Sequence, residues 1–348
     1  MINKAYFVRF FKESSIMLIV SSLIFALVNF IIIININLNE TTTYEYFTSL
    51  IYPLFIFTFL GPLYVLSYKD SKRKADVYYS LPISRISFLF TRMLVIILDT
   101  FIIYFISYFV GILISSFNEI DRNLLNYGYA ILYFFVTFLV FIPIFIFTTY
   151  FANKGNSIFD KIVIMFFYSF AFISLFYMIN KGINRANGQY AYLNYEYGVN
   201  FFYIVSPFIY LMKFFSTKIN NNVDIDTILI QDMHNQYLAS TIVIMIISIS
   251  LLFLLLREEK YDKIERINQP SASIFGYKIM LPFIPFIVYG TISPNFGDGL
   301  YFILLIISLA LFASFYFIYK RKFVIQKDAI YLSALFVLSS VIVSICLI

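Results

Sequence analysis

Residues 241–256 read TIVIMIISISLLFLLL, an apolar run with no alternation of polarity. A strand of a membrane barrel alternates lipid-facing and lumen-facing residues over about ten positions, and a closed barrel needs many such strands. This run instead suits a helix, which satisfies every backbone group internally when lipid is the solvent. Extended back to Tyr237, it is long enough at about 1.5 Å per residue to cross a hydrocarbon core of roughly 30 Å. Eight other stretches share its character: Ser15 to Ile34, Ser49 to Ser67, Met93 to Ser116, Tyr127 to Tyr150, Ile162 to Ile179, Phe275 to Ile292, Leu300 to Tyr319 and Ala329 to Ile348. The expected fold is therefore all-α, a polytopic membrane helix bundle of about nine transmembrane helices. Composition agrees: 61% of residues are hydrophobic and 13% charged, against about 45–50% and a quarter in soluble domains.

Charge placement predicts the orientation. With a cytoplasmic N-terminus, all but five of the 25 Lys and Arg residues fall on inner segments. The exceptions are Arg122, Lys181, Arg185, Lys213 and Lys218, an asymmetry that follows the retention of basic loops in the cytoplasm. The C-terminus is then expected outside. The same placement accounts for the formal charge of +6 without nucleic acid as a partner. The first span follows basic residues as a signal peptide would, but its apolar core is longer than a signal core and lacks a small-residue cleavage site, so it reads as a retained anchor. The lone cysteine, Cys346, excludes an intramolecular disulfide and a cysteine-based metal cluster.

Two segments depart from a simple zigzag. The connection Asn180 to Gln236 holds a short apolar stretch, Phe201 to Met212, broken by Pro207. It is too short to span and suits a re-entrant outer element between the fifth and sixth spans. At the N-terminus, Tyr6, Phe7, Phe10 and Phe11 recur at helical spacing among Lys4, Arg9 and Lys12. Ile2 to Glu13 thus reads as an amphipathic interfacial helix on the inner membrane surface, or as a basic flank of the first span. The charged loop Arg257 to Tyr277, with room for a short surface helix, divides the chain into a six-span core (1–256), a cytoplasmic loop (257–278) and a three-span extension (279–348).

None of the eleven glycines directly precedes a lysine, so the chain lacks the phosphate-binding loop in which a lysine reaches the nucleotide phosphates. The first inner loop, residues 68–92, reads YKDSKRKADVYYSLPISRISFLFTR. Lys74, Val77, Tyr78 and Leu81 share a helical face, Pro82 biases Leu81 out of the helix, and Ser84 or Ser87 can cap the helix that becomes the third span. The expected element is a short cytoplasmic helix joined firmly to a transmembrane one, displaying Val77, Tyr78, Tyr79, Leu81 and Ile83 beside cations. Its plainer reading is a positively charged retention loop.

The stretch ADVYYSLPISR, residues 75–85, between the second and third spans, resembles the coupling region of ABC-2 type permeases. The loop LREEKYDKIERINQPSASIFGYKI, residues 256–279, is similar to the equivalent loop in permeases of Gram-positive bacteria associated with antibiotic response. The resemblance covers about the first 280 residues, with Leu-Pro-Ile-Ser-Arg as its one sharp motif, and the three-span extension departs from the family's six helices. It implies the transmembrane permease subunit of an ATP-driven ABC exporter in the bacterial plasma membrane, paired with a second permease, either another copy or a sister chain. It also implies that separate ABC ATPase subunits bind ATP and Mg, so that this chain has no cofactor and is not itself an enzyme. By position it assigns ATPase coupling to Asp76, Tyr78, Tyr79, Ser80, Leu81, Pro82, Ile83 and Arg85. An antimicrobial peptide or a cell-envelope compound is the implied cargo.

Asp99 lies about seven residues into the third span, where a carboxylate facing lipid at mid-bilayer would cost roughly 2.5–3.5 kcal/mol. It either lines a substrate path, or pairs with a nearby cation or sits near water. His234 beside Asp232 and the pair Asp224 and Asp226 read as polar outer-loop residues. Pro53, Pro62 and Pro143 fall inside spans, and Gly61-Pro62 is the best candidate for a kink. A competing reading is a polytopic membrane enzyme, such as a lipid-phosphate-sugar glycosyltransferase, with Glu40, Glu45 or Asp224 and Asp226 beside Lys218. A secondary transporter would require paired charges within the spans, and Asp99 alone sits clearly inside one.

Overall fold

In the computed structural model of this chain, Lys4–Asn35 form one helix, α1. The structure describes residues 4–35, 43–117, 127–169, 171, 245–261, 273–292 and 301–347. The described residues contain helices and no strand. After α1 come α2 (Thr43–Val65), α3 (Lys72–Tyr79), α4 (Arg85–Phe117) and α5 (Tyr127–Ala152). Then follow α6 (158–169), α7 (245–261), α8 (Ile279–Ile292), α9 (Tyr301–Lys320) and α10 (Asp328–Leu347).

Among the described residues, four segments are long and apolar enough to cross a membrane: Lys4–Ile33, Arg85–Ile114, Tyr127–Ala152 and Phe302–Lys320. Leu50–Val65, Phe275–Tyr289 and Asp328–Val343 are shorter apolar helices. Together they make an all-α membrane bundle. The re-entrant element expected over Asn180 to Gln236 lies outside the described residues.

One expectation is corrected. The aromatic N-terminal segment is not a separate interfacial helix but the first turns of α1, because no glycine or proline interrupts the chain between Lys4 and Asn35. Its stripe also faces protein. Tyr6 and Phe10 are buried, with the Tyr6 ring 4.8 Å from Phe88 and the Phe10 ring 5.7 Å from Tyr64. Likewise, Arg257 to Lys260 do not begin a separate surface helix; they continue α7 as far as Tyr261.

Contacts group the chain into two units of discontinuous sequence. Unit 1 comprises Met1–Ser67, Val77–Thr149 and Val205–Asp262, and unit 2 comprises Tyr68–Asp76, Tyr150–Ile204 and Lys263–Ile348. In unit 1, α1 and α2 both pack on α4. Small residues let the helices approach: a Cβ on Gly111 would lie 2.5 Å from Leu50 and 2.8 Å from Ile33, and one on Gly61 would lie 2.7 Å from Phe145. Polar side chains then join them. The buried Asn29 amide donates to the Ser107 hydroxyl at 2.7 Å, and Tyr108 donates to the Ala130 carbonyl at 2.6 Å. Ser248 of α7 donates to the Pro143 carbonyl of α5 at 2.8 Å.

Of the four long apolar segments described, α5 has the largest share of its window buried, 61% against 17% for α1. On α1 the large residues Ile16, Leu23, Leu27 and Ile31 point away from the protein. That inversion, apolar outside and hydrogen-bonded inside, is what lipid as solvent requires. In unit 2, α8 packs on α9 and α10 around Tyr277, Met280, Leu281, Ile284, Tyr316 and Phe336. Ser339 of α10 donates to the Pro282 carbonyl of α8 at 2.6 Å.

Candidate functional site

The loop between α2 and α4 folds as its residue types dictate. Ser71 caps α3, its hydroxyl accepting the Lys74 amide at 3.3 Å, and Ser84 caps α4 by accepting the Ser87 amide at 3.2 Å. Between the two helices, Leu81 donates its N–H to the Tyr78 carbonyl at 3.3 Å. Pro82 sits at the centre of a three-residue turn closed by the Ile83 amide on the Leu81 carbonyl at 2.7 Å. The near-fixed φ of proline suits that central position.

The loop's residues divide into those shown to solvent and those that anchor. Asp76, Val77, Ser80 and Pro82 are exposed, and Leu81, Ile83 and Arg85 are half-buried. Tyr78 turns back onto α4, its ring 5.4 Å from Phe88. Tyr79 is held twice: the Arg85 guanidinium lies 4.3 Å from its ring centre, and its hydroxyl donates to the Glu259 carboxylate at 2.9 Å. Glu259 is fully buried on α7. Sequence analysis did not single out Glu259; the signal for it is a carboxylate one turn past a long apolar run, in need of a donor once buried.

Just inside α4, Arg92 is buried in an aromatic cage. Its guanidinium stands 4.1 Å from the Phe10 ring centre and 5.6 Å from those of Tyr78 and Phe88. It also donates to the Tyr64 carbonyl at 3.0 Å and the Ser67 hydroxyl at 2.8 Å. One arginine thus joins α1, α2, α3 and α4. Cation–π contacts of this kind gain strength when water is excluded.

Asp99, two turns further along α4, is fully buried, and among the described residues neither carboxylate oxygen accepts a hydrogen bond. The buried Ser14 hydroxyl beside it donates instead to the Phe11 carbonyl at 3.0 Å. Of the expectations for Asp99, the cation pair is absent among the described residues.

Unit 2 carries a polar cluster built from four separate segments of the chain. Lys161, 1% exposed at its side chain, pairs with Asp70 at 2.8 Å, and Lys69 donates to the Asn153 side chain at 2.7 Å. Asp160 accepts the Tyr277 hydroxyl at 2.6 Å and the Arg321 guanidinium at 3.3 Å. The turn that delivers Asp160 and Lys161 needs Gly155, since a Cβ there would lie 2.4 Å from the Lys161 backbone nitrogen. Ser157 then caps α6 by accepting the Asp160 amide at 3.1 Å.

The outer candidates Glu40, Asp224, Asp226, Asp232 and His234 lie outside the described residues. Comparison with protein families, with curated proteins and with solved structures finds no match to this chain.

Proposed function

We propose that this chain is the membrane-spanning permease subunit of an ATP-driven exporter in a bacterial plasma membrane, worked by a separate ATPase through the first inner loop. The observation that carries the reading is the construction of that loop. A short capped helix displays Val77, Ser80 and Pro82 outward while Tyr78 and Tyr79 bind it to α4 and α7. A displacement applied to α3 is delivered to two helices at once, through an aromatic stack and a charge-assisted hydrogen bond. The motif Leu81-Pro82-Ile83-Ser84-Arg85, on which the resemblance to ABC-2 type permeases rests, lies at the turn between α3 and α4.

On this reading the chain has about nine spans, an inner N-terminus and an outer C-terminus, and works beside a second permease. Asp99 lies on the path of an amphiphilic or peptide-like cargo, because a buried carboxylate lacking a hydrogen bond is costly unless function requires it. ATP and Mg belong to the partner.

A photo-crosslinking amino acid at Val77, used in native membranes, tests the assignment. The expected product joins this chain to a protein whose peptides include a phosphate-binding loop. The same probe at Phe302, on the exposed flank of α9, serves as the control. A Val77 probe that captures no such ATPase while the chain is correctly inserted overturns it.

A further inference from the structure

The segment joining α9 to α10, residues 321–327, reads RKFVIQK. It is a fixed hairpin. Arg321 takes the left-handed conformation, φ 52°, that ends many helices, and its N–H donates to the Ile318 carbonyl at 3.2 Å. The Gln326 amide donates to the Tyr316 hydroxyl at 3.0 Å, which in turn donates to the Asp328 carboxylate at 3.2 Å. Lys320 pairs with Asp328, and the Phe323 ring rests 5.3 Å from Phe317.

What this hairpin displays is apolar. Phe323 is 92% exposed, Ile325 77% and Val324 53%, and Ile330 and Tyr331 extend the patch along the first turn of α10. On a spanning helix, exposed apolar side chains meet lipid tails. In a connection bracketed by charged residues, spanning alone does not account for them. Lys320 and Arg321 are engaged by Asp328 and Asp160, whereas Lys322 and Lys327 are exposed on either side of the apolar tip.

Position completes the case. The hairpin joins two apolar helices at the ends marked by Lys320 and Asp328, which places it where the hydrocarbon core meets the headgroups. Apolar side chains flanked by lysines bind such a boundary by insertion and by attraction to anionic lipid.

We propose that residues 321–331 form a lipid-binding hairpin, with Phe323, Val324 and Ile325 inserted into the leaflet and Lys322 and Lys327 on the phosphates of anionic phospholipids. The inference stands on membrane insertion alone and is independent of the exporter reading.

The chain contains no tryptophan, so Phe323→Trp supplies a single fluorophore at an exposed position. The full chain is reconstituted into phosphatidylcholine vesicles with or without phosphatidylglycerol, each prepared with and without acyl-chain quenchers at shallow depth. The expected result is blue-shifted emission quenched from within the bilayer, more strongly in the anionic vesicles. That increment is lost when Lys322→Glu and Lys327→Glu are added. Tyr331→Trp is a second reporter with the same expectation. Water-like emission from both reporters, quenched by aqueous iodide in either lipid, overturns insertion and leaves the tip open to a protein partner. Equal quenching in the two compositions overturns the anionic headgroup contact.

Discussion

Asp160 and Asp328 both hold cations of the Lys320-Arg321 pair, yet their substitutions carry different costs. Asp160 is 4% exposed at its side chain, and it orders the buried Tyr277 hydroxyl as well as Arg321. Its removal leaves a buried donor unsatisfied, so Asp160→Ala is expected to cost about 2–4 kcal/mol. Asp328 is 40% exposed, and water screens its pair with Lys320. Asp328→Ala is expected to cost no more than about 1 kcal/mol. Thermal unfolding of the two variants in one detergent checks the order: a clearly lower midpoint for Asp160→Ala is expected, and equal midpoints contradict it. These partners were not legible in the sequence. Charge counting placed Lys69 and Lys161 on one side of the membrane, but their partners lie far along the chain, Asn153 for Lys69. Lys161 meets Asp70, and Asp160 meets Arg321.

At the scale of elements, local chemistry carried well. Pro82 and the two serines announced the turn between α3 and α4, and the cap fell on Ser84, one of the two candidates. The continuity of α1 was equally written in the absence of a breaker, but the aromatic periodicity of its first turns is shared by membrane-surface and protein-facing helices. Only the burial of Tyr6 and Phe10 separates the two. The link from α3 to α7 was not legible, since Tyr79 and Glu259 are 180 residues apart. It leads to a prediction about α3. A hydrogen bond to a charged group contributes about 1.5–3 kcal/mol, so Tyr79→Phe or Glu259→Gln is expected to speed amide exchange in α3 by roughly ten- to a hundredfold. Hydrogen exchange with mass spectrometry on the peptide covering 72–80 reads this directly. Unchanged protection there would show that α3 is held by its caps and the Tyr78 stack alone.

At the scale of the molecule, the apolar run at 241–256 and its counterparts sufficed for a helical membrane protein, because backbone satisfaction in lipid leaves few alternatives. Among the described residues, helix length then separates four segments that can cross from three shorter ones, a distinction that composition does not make. The proposed export function assigns ATP hydrolysis to a separate subunit. Affinity purification of the tagged chain from its native membrane in mild detergent tests that claim most directly. The account predicts a stoichiometric ATPase in the wild-type preparation, lost when Leu81→Asp and Ile83→Asp are introduced into a chain that still elutes as a single species. A well-behaved wild-type preparation with no ATPase would contradict it.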